Sequence, residues 1–397
     1  MSRSADVVVV GGGAIGCAVA YYTARRGLRV TLLDQARRGR ATSASAGGLW
    51  PVGESVGLGC GVIVHKARHA AGRAPDAPTA LPPHFVAFAR RSNAMFPGLA
   101  AELFEATGID VEWERTSLLF LLFDDGDESF ARSLRARGPV GAEMPAWLDA
   151  DELARAEPAV SRRARGALRF EGDDQVNPYR LADALRAAAC KLGATFLSRA
   201  EATGLEVRDG RVVAVATPAG RITCDMVVNA AGAWAAKLGR LAGLELPVRP
   251  VRGQIVGTEP LPKLLSACLS TADCYLLQKG HGEVLVGSTT EEAGFEVGVT
   301  PQALHALAVG AVRAVPGLES VQVKRAWSGL RPGTPDELPI LGPVAGLDGY
   351  LNACGHFRTG IVNAPLTGAV VAELAAGVAP SFPIGPFLAS RFGGASS

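Results

Sequence analysis

Val7-Val8-Val9-Val10-Gly11-Gly12-Gly13-Ala14-Ile15-Gly16 is the stretch that decides the fold of this chain. Four consecutive valines are too few for a buried helix and fit a central parallel strand covered on both faces. The glycines follow at once with the spacing G-x-G-x-x-G. Cys17 to Arg26 then carries a helical pattern that Gly27 stops, and Leu28 to Leu33 reads as a second strand ending on Asp34. In such a unit Gly11 permits the tight turn, Gly13 lets a pyrophosphate approach the backbone, and Gly16 lets helix and strand pack closely. The helix N-terminus offers unpaired N–H groups and the positive end of a dipole. Asp34, at the strand tip, is placed to accept hydrogen bonds from a ribose. Glycine spacing alone is weak evidence in a chain with 48 glycines, but strand, helix and acid all fall in register here. The motif leaves FAD and NAD both open.

The rest of the composition narrows the class. A length of 397 residues predicts two domains, and 48% apolar with 20% charged residues describes an ordinary globular chain. A formal net charge of +2 with no basic stripe gives no electrostatic case for nucleic acid. The seven cysteines are scattered and never spaced C-x-x-C, which argues against a metal site or a disulfide framework and for a reducing compartment. No basic leader precedes the first strand, and the strongly apolar run Leu118 to Phe123 is far short of a membrane span. The expectation is a cytoplasmic protein, with attachment to the inner membrane through partners left open.

Past Asp34, small and hydroxyl residues from Ala41 to Gly48 suit backbone lying against something flat or highly oxygenated. Residues 51–64 are glycine-dense yet hydrophobic, and Arg68 to Pro83 is polar and expected to be mobile. Phe85 to Thr107 reads as helix broken at Pro97, and Val111 to Phe123 as strand or hairpin. Asp149 to Glu152 is a capping box before a short helix. Asn177-Pro178 opens another helix with a cap and a proline at the first position. Thr195 to Leu197, Thr203 to Val207 and Val212 to Thr217 form a small strand set around the turn Asp209-Gly210. From Leu246 the pattern becomes antiparallel, with strands at Val251 to Val256, Cys274 to Gln278, Val284 to Val286 and Val321 to Trp327. Tyr350 to Cys354 is a last strand, and Gly355 to Gly360 opens a last helix.

Four separated motifs carry a family resemblance. They are Arg40 to Gly48, Asn229 to Trp234, Ser328 to Gly342 (SGLRPGTPDELPILG) and Gly355 to Gly360 (GHFRTG). In that order they resemble the FAD-dependent D-amino-acid/glycine oxidase family, glycine oxidase above all. Gly47 to Cys60, Val251 to Gln254 and Asp273 to Lys279 are most similar to the branch holding the C subunits of bacterial hydrogen cyanide synthases. The resemblance implies an α/β fold: a Rossmann-like FAD-binding domain (1–60, 166–245 and 333–397) with a second, mainly antiparallel β substrate domain (61–165 and 246–332). It implies that FAD is held by Gly11, Gly13, Ala14, Ile15, Gly16, Asp34, Ala41, Thr42, Ala46, Gly47 and Gly48. Ala202, Gly355, His356, Phe357, Arg358, Thr359, Gly360, Ile361 and Val362 complete that set. Some relatives tether the flavin through a cysteine before their T-P-D-E segment. Gly329 holds that place here, which implies non-covalent FAD.

On the substrate side the resemblance assigns Arg331 and Tyr275 to the amino acid's carboxylate, Arg331 with its planar fork, and Arg358 as a further substrate-side arginine. His356 is read as a wall contact rather than a base. The implied reaction is oxidation of the amine of glycine or another small amino acid to the imine. In the cyanide-forming branch the products are HCN and carbon dioxide. Four electrons then need an outlet, so a second flavin or iron–sulfur subunit is the expected partner. The alternatives are a subunit oxidising a D-amino acid, D-hydroxyproline or an opine, and a non-catalytic flavoprotein scaffold. The stretch from Leu49 to Pro83 reads as a lid or a partner interface, with the interface favoured because electrons must leave.

Overall fold

In a computed structural model of the chain, residues 3–58, 80–136 and 144–393 are described. Strand Val7–Val10 is buried along its whole length. It lies between Met226–Asn229 and Val30–Asp34, parallel to both. Among the described residues these belong to a ten-stranded sheet that runs Arg3–Ser4, Gly220–Thr223, Arg211–Thr217, Leu347–Cys354, Met226–Asn229, Val7–Val10, Val30–Asp34 and Thr195–Ser198. Gly204–Arg208 and Ile340–Val344 pair onto it as side branches. The final strand thus returns to the nucleotide sheet, beside Met226–Asn229. Helix Ala14–Arg25 packs against the last helix, Gly360–Ala375, and against Pro178–Lys191. Asn177 caps the latter through the N–H groups of Tyr179 and Arg180.

Two groupings expected from sequence are rearranged. Thr195–Ser198 does not join the hairpin that follows it but pairs in parallel with Val30–Asp34, so Ser198 lies beside Asp34. The hairpin Gly204–Arg208/Arg211–Thr217 turns on Asp209 and Gly210, at φ +49 and +73, the left-handed pair that a tight two-residue turn needs. The helical stretch after residue 82 is two helices, Pro83–Asn93 and Phe96–Thr107, with Pro97 in the first turn of the second, where a missing N–H costs nothing. Phe85, Phe88, Phe96, Leu99 and Leu103 are buried in the same core as Val7, Val9 and Ala18. These helices therefore cover the nucleotide sheet although they lie within residues 61–165.

The second sheet, eight-stranded among the described residues, runs Val323–Gly333, Arg249–Pro260, Glu283–Gly287, Tyr275–Gln278, Cys268–Ser270, Ser117–Leu122, Gly166–Glu171 and Ala146–Asp149. Its pairings are antiparallel apart from Cys268–Ser270 with Ser117–Leu122. Gly166–Glu171 is hydrogen-bonded into this sheet, so the chain leaves it later than residue 166. Ser117–Leu122 is buried on both faces, which is why it is apolar without alternation. Leu119 and Leu121 belong to one core cluster with Leu307 and Ala311 of helix Pro301–Ala314. Leu118 and Phe120 lie with Tyr275, Ile255 and Leu277, under Trp50, Val52, Val56 and Leu58. The apolar residues from Leu49 to Leu58 are thus buried within the chain, and their hydrophobicity needs no partner to explain it. Residues 59–79, on which the rest of the lid-or-interface expectation falls, lie outside the described residues.

Candidate active site

The nucleotide turn is built by close approach. Gly11 takes φ +117, and a Cβ there would sit 2.2 Å from the Ala230 carbonyl oxygen. A Cβ on Gly16 would sit 1.8 Å from the Gly11 oxygen, so strand and helix can meet only with glycine at that point. Gly13 stands at the helix N-cap, and the next N–H, that of Ala14, donates to Thr42 Oγ1 at 2.9 Å. Asp34 is buried; its carboxylate accepts from the Ala36 N–H and, at 2.5 Å, from Arg40. Opposite, Asn229 pins the Ala231–Trp234 turn, accepting from the Ala231 N–H and donating to Tyr350 and to the Ala235 carbonyl.

A single cavity of about 470 Å³ joins this turn to the second sheet. Of the residues expected to hold a cofactor, it is lined by Gly11, Gly13, Ala14, Ile15, Asp34, Ala41, Thr42, Ala202, His356, Phe357, Arg358, Gly360 and Ile361. Gly16, Ala46, Gly47, Gly48, Gly355, Thr359 and Val362 are not among its lining residues. Gly47, at φ +88, has the Val176 oxygen 2.0 Å from where its Cβ would be, and Gly355 makes the turn at φ +73. Ala46 and Val362 are core residues. Thr359 donates to the His356 carbonyl.

Other wall residues carry no site assignment from sequence: Gln35, Arg40, Glu201, Trp234, Gly253 and Cys354. A glycine inside a strand, as at Gly253, is the one legible signal among them, since it marks close approach. Cys354 reaches the wall although it is far in sequence from the tether position, and burial pushes its thiol up to about 12. It stays protonated and is a poor nucleophile.

Tyr275 and Arg331 line that cavity from the second sheet. Strand Val323–Gly333 pairs with Arg249–Pro260 so that Arg331 stands opposite Val251 and Gly329 opposite Gly253. The Arg331 guanidinium lies over Gly253 and donates to the Thr289 carbonyl at 3.1 Å and to Ser288 Oγ at 2.6 Å. Thr289 is in turn held by Gln254, whose N–H donates to its hydroxyl at 3.0 Å, and by Glu291. Burial would raise the Glu291 carboxyl, but hydrogen bonds from Thr289, Arg252 and Gln254 outweigh it and hold the group below its usual range. Tyr275 is buried over Gly287, edge-on to Trp50 with ring centroids 5.4 Å apart. Two strand glycines thus make room for the two expected substrate-side groups.

Arg358 and His356 line the same cavity from the Gly355–Gly360 turn. The Arg358 side chain is 3% exposed; Nε donates to the Glu54 carboxylate at 2.5 Å, Nη2 to the Glu54 carbonyl, and Nη1 to Glu337. Its guanidinium is committed to the protein on two sides. His356 is buried with Nε2 3.0 Å from Thr367 Oγ1, and burial pushes its pKa down to about 3. It is a neutral ring in the wall.

The cavity fits a dinucleotide whose far end must meet a substrate. The glycine-rich turn and Asp34 lie on the nucleotide-sheet side of this space, while Arg331 and Tyr275 face it from the other sheet.

Comparisons with known proteins agree with this geometry. The chain matches the family described as FAD dependent oxidoreductase over residues 6–374. It is 50% identical to hydrogen cyanide synthase subunit HcnC of Pseudomonas aeruginosa, covering 99% of this chain and 97% of that one. It is 34% identical to the glycine oxidase of Pseudomonas putida, covering 97% and 98% of the two chains. The crystal structure of glycine oxidase from Geobacillus kaustophilus superposes with a TM-score of 0.87 at 31% identity, covering 98% of this chain and 99% of that one.

Proposed function

The chain belongs to the FAD dependent oxidoreductase family, and on that premise we propose that it oxidises the amine of glycine or another small amino acid to the imine, as the flavin-binding C subunit of a hydrogen cyanide synthase. The observation that carries this is the placement of Tyr275 and Arg331 in the same cavity as the Gly11–Ile15 turn and Asp34. A likeness of 50% to a cyanide synthase subunit, against 34% to a glycine oxidase, supports the choice of branch.

FAD, when bound, supplies a two-electron acceptor that takes hydride from the amino acid's Cα. The chain's own residues do the positioning. Gly11 to Ile15 and Thr42 would hold the phosphates and Asp34 the ribose, leaving Phe357 and His356 among the walls around the ring. Arg331, pre-oriented by Thr289 and Ser288, takes the substrate carboxylate in a two-pronged grip, and the Tyr275 hydroxyl adds a third hydrogen bond. Fixing the carboxylate fixes where Cα lies, and that orientation is most of what the reaction asks of the protein. The substrate reacts as the neutral amine. His356, neutral and hydrogen-bonded to Thr367, removes no proton.

Conversion of glycine to HCN and CO2 releases four protons and four electrons. A bound flavin stores two electrons, so the second pair requires an outlet. A partner subunit with a second flavin or an iron–sulfur centre supplies it in this proposal. Among the described residues no helix is long and apolar enough to cross a membrane. The test is anaerobic mixing of the FAD-loaded protein with a panel of amino acids, followed by readmission of air. Bleaching of the flavin by glycine or another small amino acid is expected, with slow recovery in air if a partner is the natural acceptor. No bleaching by any amino acid would sink the proposal.

A further inference from the structure

Arg358 lines the cavity with Arg331, yet its fork is spent on Glu54 and Glu337. Resting on the amino-acid oxidation proposed above, we infer that Glu54 and Glu337 are specificity-determining residues that restrict the site to substrates with a single carboxylate. An opine, or iminodiacetate as its simplest analogue, carries a carboxylate on each side of the amine. Arg331 can grip one of them. The second needs another fork on the wall, and Arg358 is the arginine that the flavin turn presents there.

Three features hold Arg358 away from that task. Its Nε and Nη2 both donate to Glu54, to the carboxylate and to the backbone carbonyl, and Nη1 donates to Glu337. The two carboxylate side chains are 7% and 13% exposed, so both ion pairs are largely shielded from water. Glu54 is also fixed in place: it opens the short turn Glu54–Val56 in the buried stretch that covers the Tyr275 face of the second sheet. A second substrate carboxylate would have to draw Arg358 off two largely shielded acids and then lie close to them. Weakening a shielded ion pair in this way is costly. Like charges brought together reject the wrong ligand further. A substrate with one carboxylate meets neither penalty, because Arg331 is held by Ser288 and the Thr289 carbonyl rather than by an acid.

The test reads the pocket without turnover. Glycolate and diglycolate replace the amine of glycine and of iminodiacetate by oxygen, and each is titrated into the FAD-loaded protein by perturbation of the flavin absorbance. Glycolate should bind at least about tenfold more tightly than diglycolate in the native chain. Glu54→Gln and Glu337→Gln, made separately and checked for FAD content, should each narrow that ratio by roughly fivefold or more while glycolate affinity changes by less than about twofold. A native ratio below about threefold overturns the inference whatever the variants do. So does an unchanged ratio in a variant that retains FAD. Glycine failing to bleach the flavin would defeat the proposed reaction instead, and the ligand ratio distinguishes the two failures.

Discussion

The guanidinium of Arg331 rests against Gly253 so closely that a Cβ at position 253 would lie 2.3 Å from both its Nη1 and its Nη2. The atoms in the way are the far end of a flexible side chain rather than backbone. Gly253→Ala should therefore fold and keep FAD, but push the guanidinium off Thr289 and Ser288. Losing the orientation of one charged hydrogen bond costs about 1.5–3 kcal/mol, which is roughly a ten- to hundredfold rise in the amino acid concentration needed for half-maximal flavin reduction. An unchanged half-saturation in a variant with normal FAD content would remove Arg331 from the substrate site.

Arg331→Lys separates charge from shape at the same position. The positive charge stays, but a point charge replaces a fork that now donates to Ser288 and Thr289. Substrate binding should weaken and flavin reduction should slow, with FAD still bound. Stopped-flow reduction at several substrate concentrations measures both, and native kinetics in the variant would contradict the assigned role.

His356 makes a prediction with a definite sign. Burial pushes it down to about 3 from an ordinary value of 6.5. Between those values the unfolded chain binds a proton that the native state excludes, so stability is present above pH 6.5 and is lost as pH falls toward 3. The slope from this group approaches about 1.4 kcal/mol per pH unit inside the window. His356→Asn should flatten the pH dependence of unfolding free energy there by up to that amount. Denaturant titrations at pH 4, 5 and 6 compare the two chains, and parallel curves would show that His356 protonates in the folded protein.

Much of this site was legible because each device has a local signature. The valine run, the glycine spacing and Asp34 suggest a nucleotide unit without any tertiary information, and in the structure Gly11, Gly13 and Asp34 line one cavity. Strand glycines are weaker signs, and Gly253 and Gly287 acquire meaning only when register sets them beneath Arg331 and Tyr275. The pairing of Arg358 is hidden for a related reason. Its motif points to the flavin turn, but Glu54 lies 304 residues away and Glu337 21 residues away in sequence. No local pattern announces that an arginine is already paired. The same holds for residues 49–58, whose hydrophobicity reads as a lid or partner interface until the stretch is seen packed on the second sheet.

FAD should leave the protein on denaturation. Gly329 occupies the position where some relatives carry a tethering cysteine, and a Cβ there would meet Ala44 at 2.2 Å. Cys354, on the cavity wall, is held as a thiol by burial, and the thiolate is the form that reacts. Acid precipitation of the yellow holoprotein should leave all flavin fluorescence in the supernatant. Flavin remaining with the pellet would point to a covalent link, with Cys354 the first residue to examine.

Two glycines of the nucleotide turn should fail in different ways when changed to alanine. Gly13 lines the cavity and has ordinary backbone angles, φ −80 and ψ −177; the neighbour a Cβ would meet is Thr42 Oγ1 at 3.1 Å. Gly13→Ala should leave the apoprotein as stable as the native chain and weaken FAD binding, because the methyl group intrudes where the phosphates approach. Gly16 does not line the cavity, and its Cβ would lie 1.8 Å from the Gly11 carbonyl oxygen, a backbone atom that cannot step aside. Gly16→Ala must part strand Val7–Val10 from helix Ala14–Arg25, so it should lower the melting temperature of the apoprotein as well as FAD affinity. Overpacking of this kind costs typically about 1–3 kcal/mol, several degrees for a domain of this size. Apoprotein melting curves and FAD titrations on both variants decide the matter. Equal melting losses would mean that Gly13 is also a packing residue and that the turn's outer face is not where FAD binds.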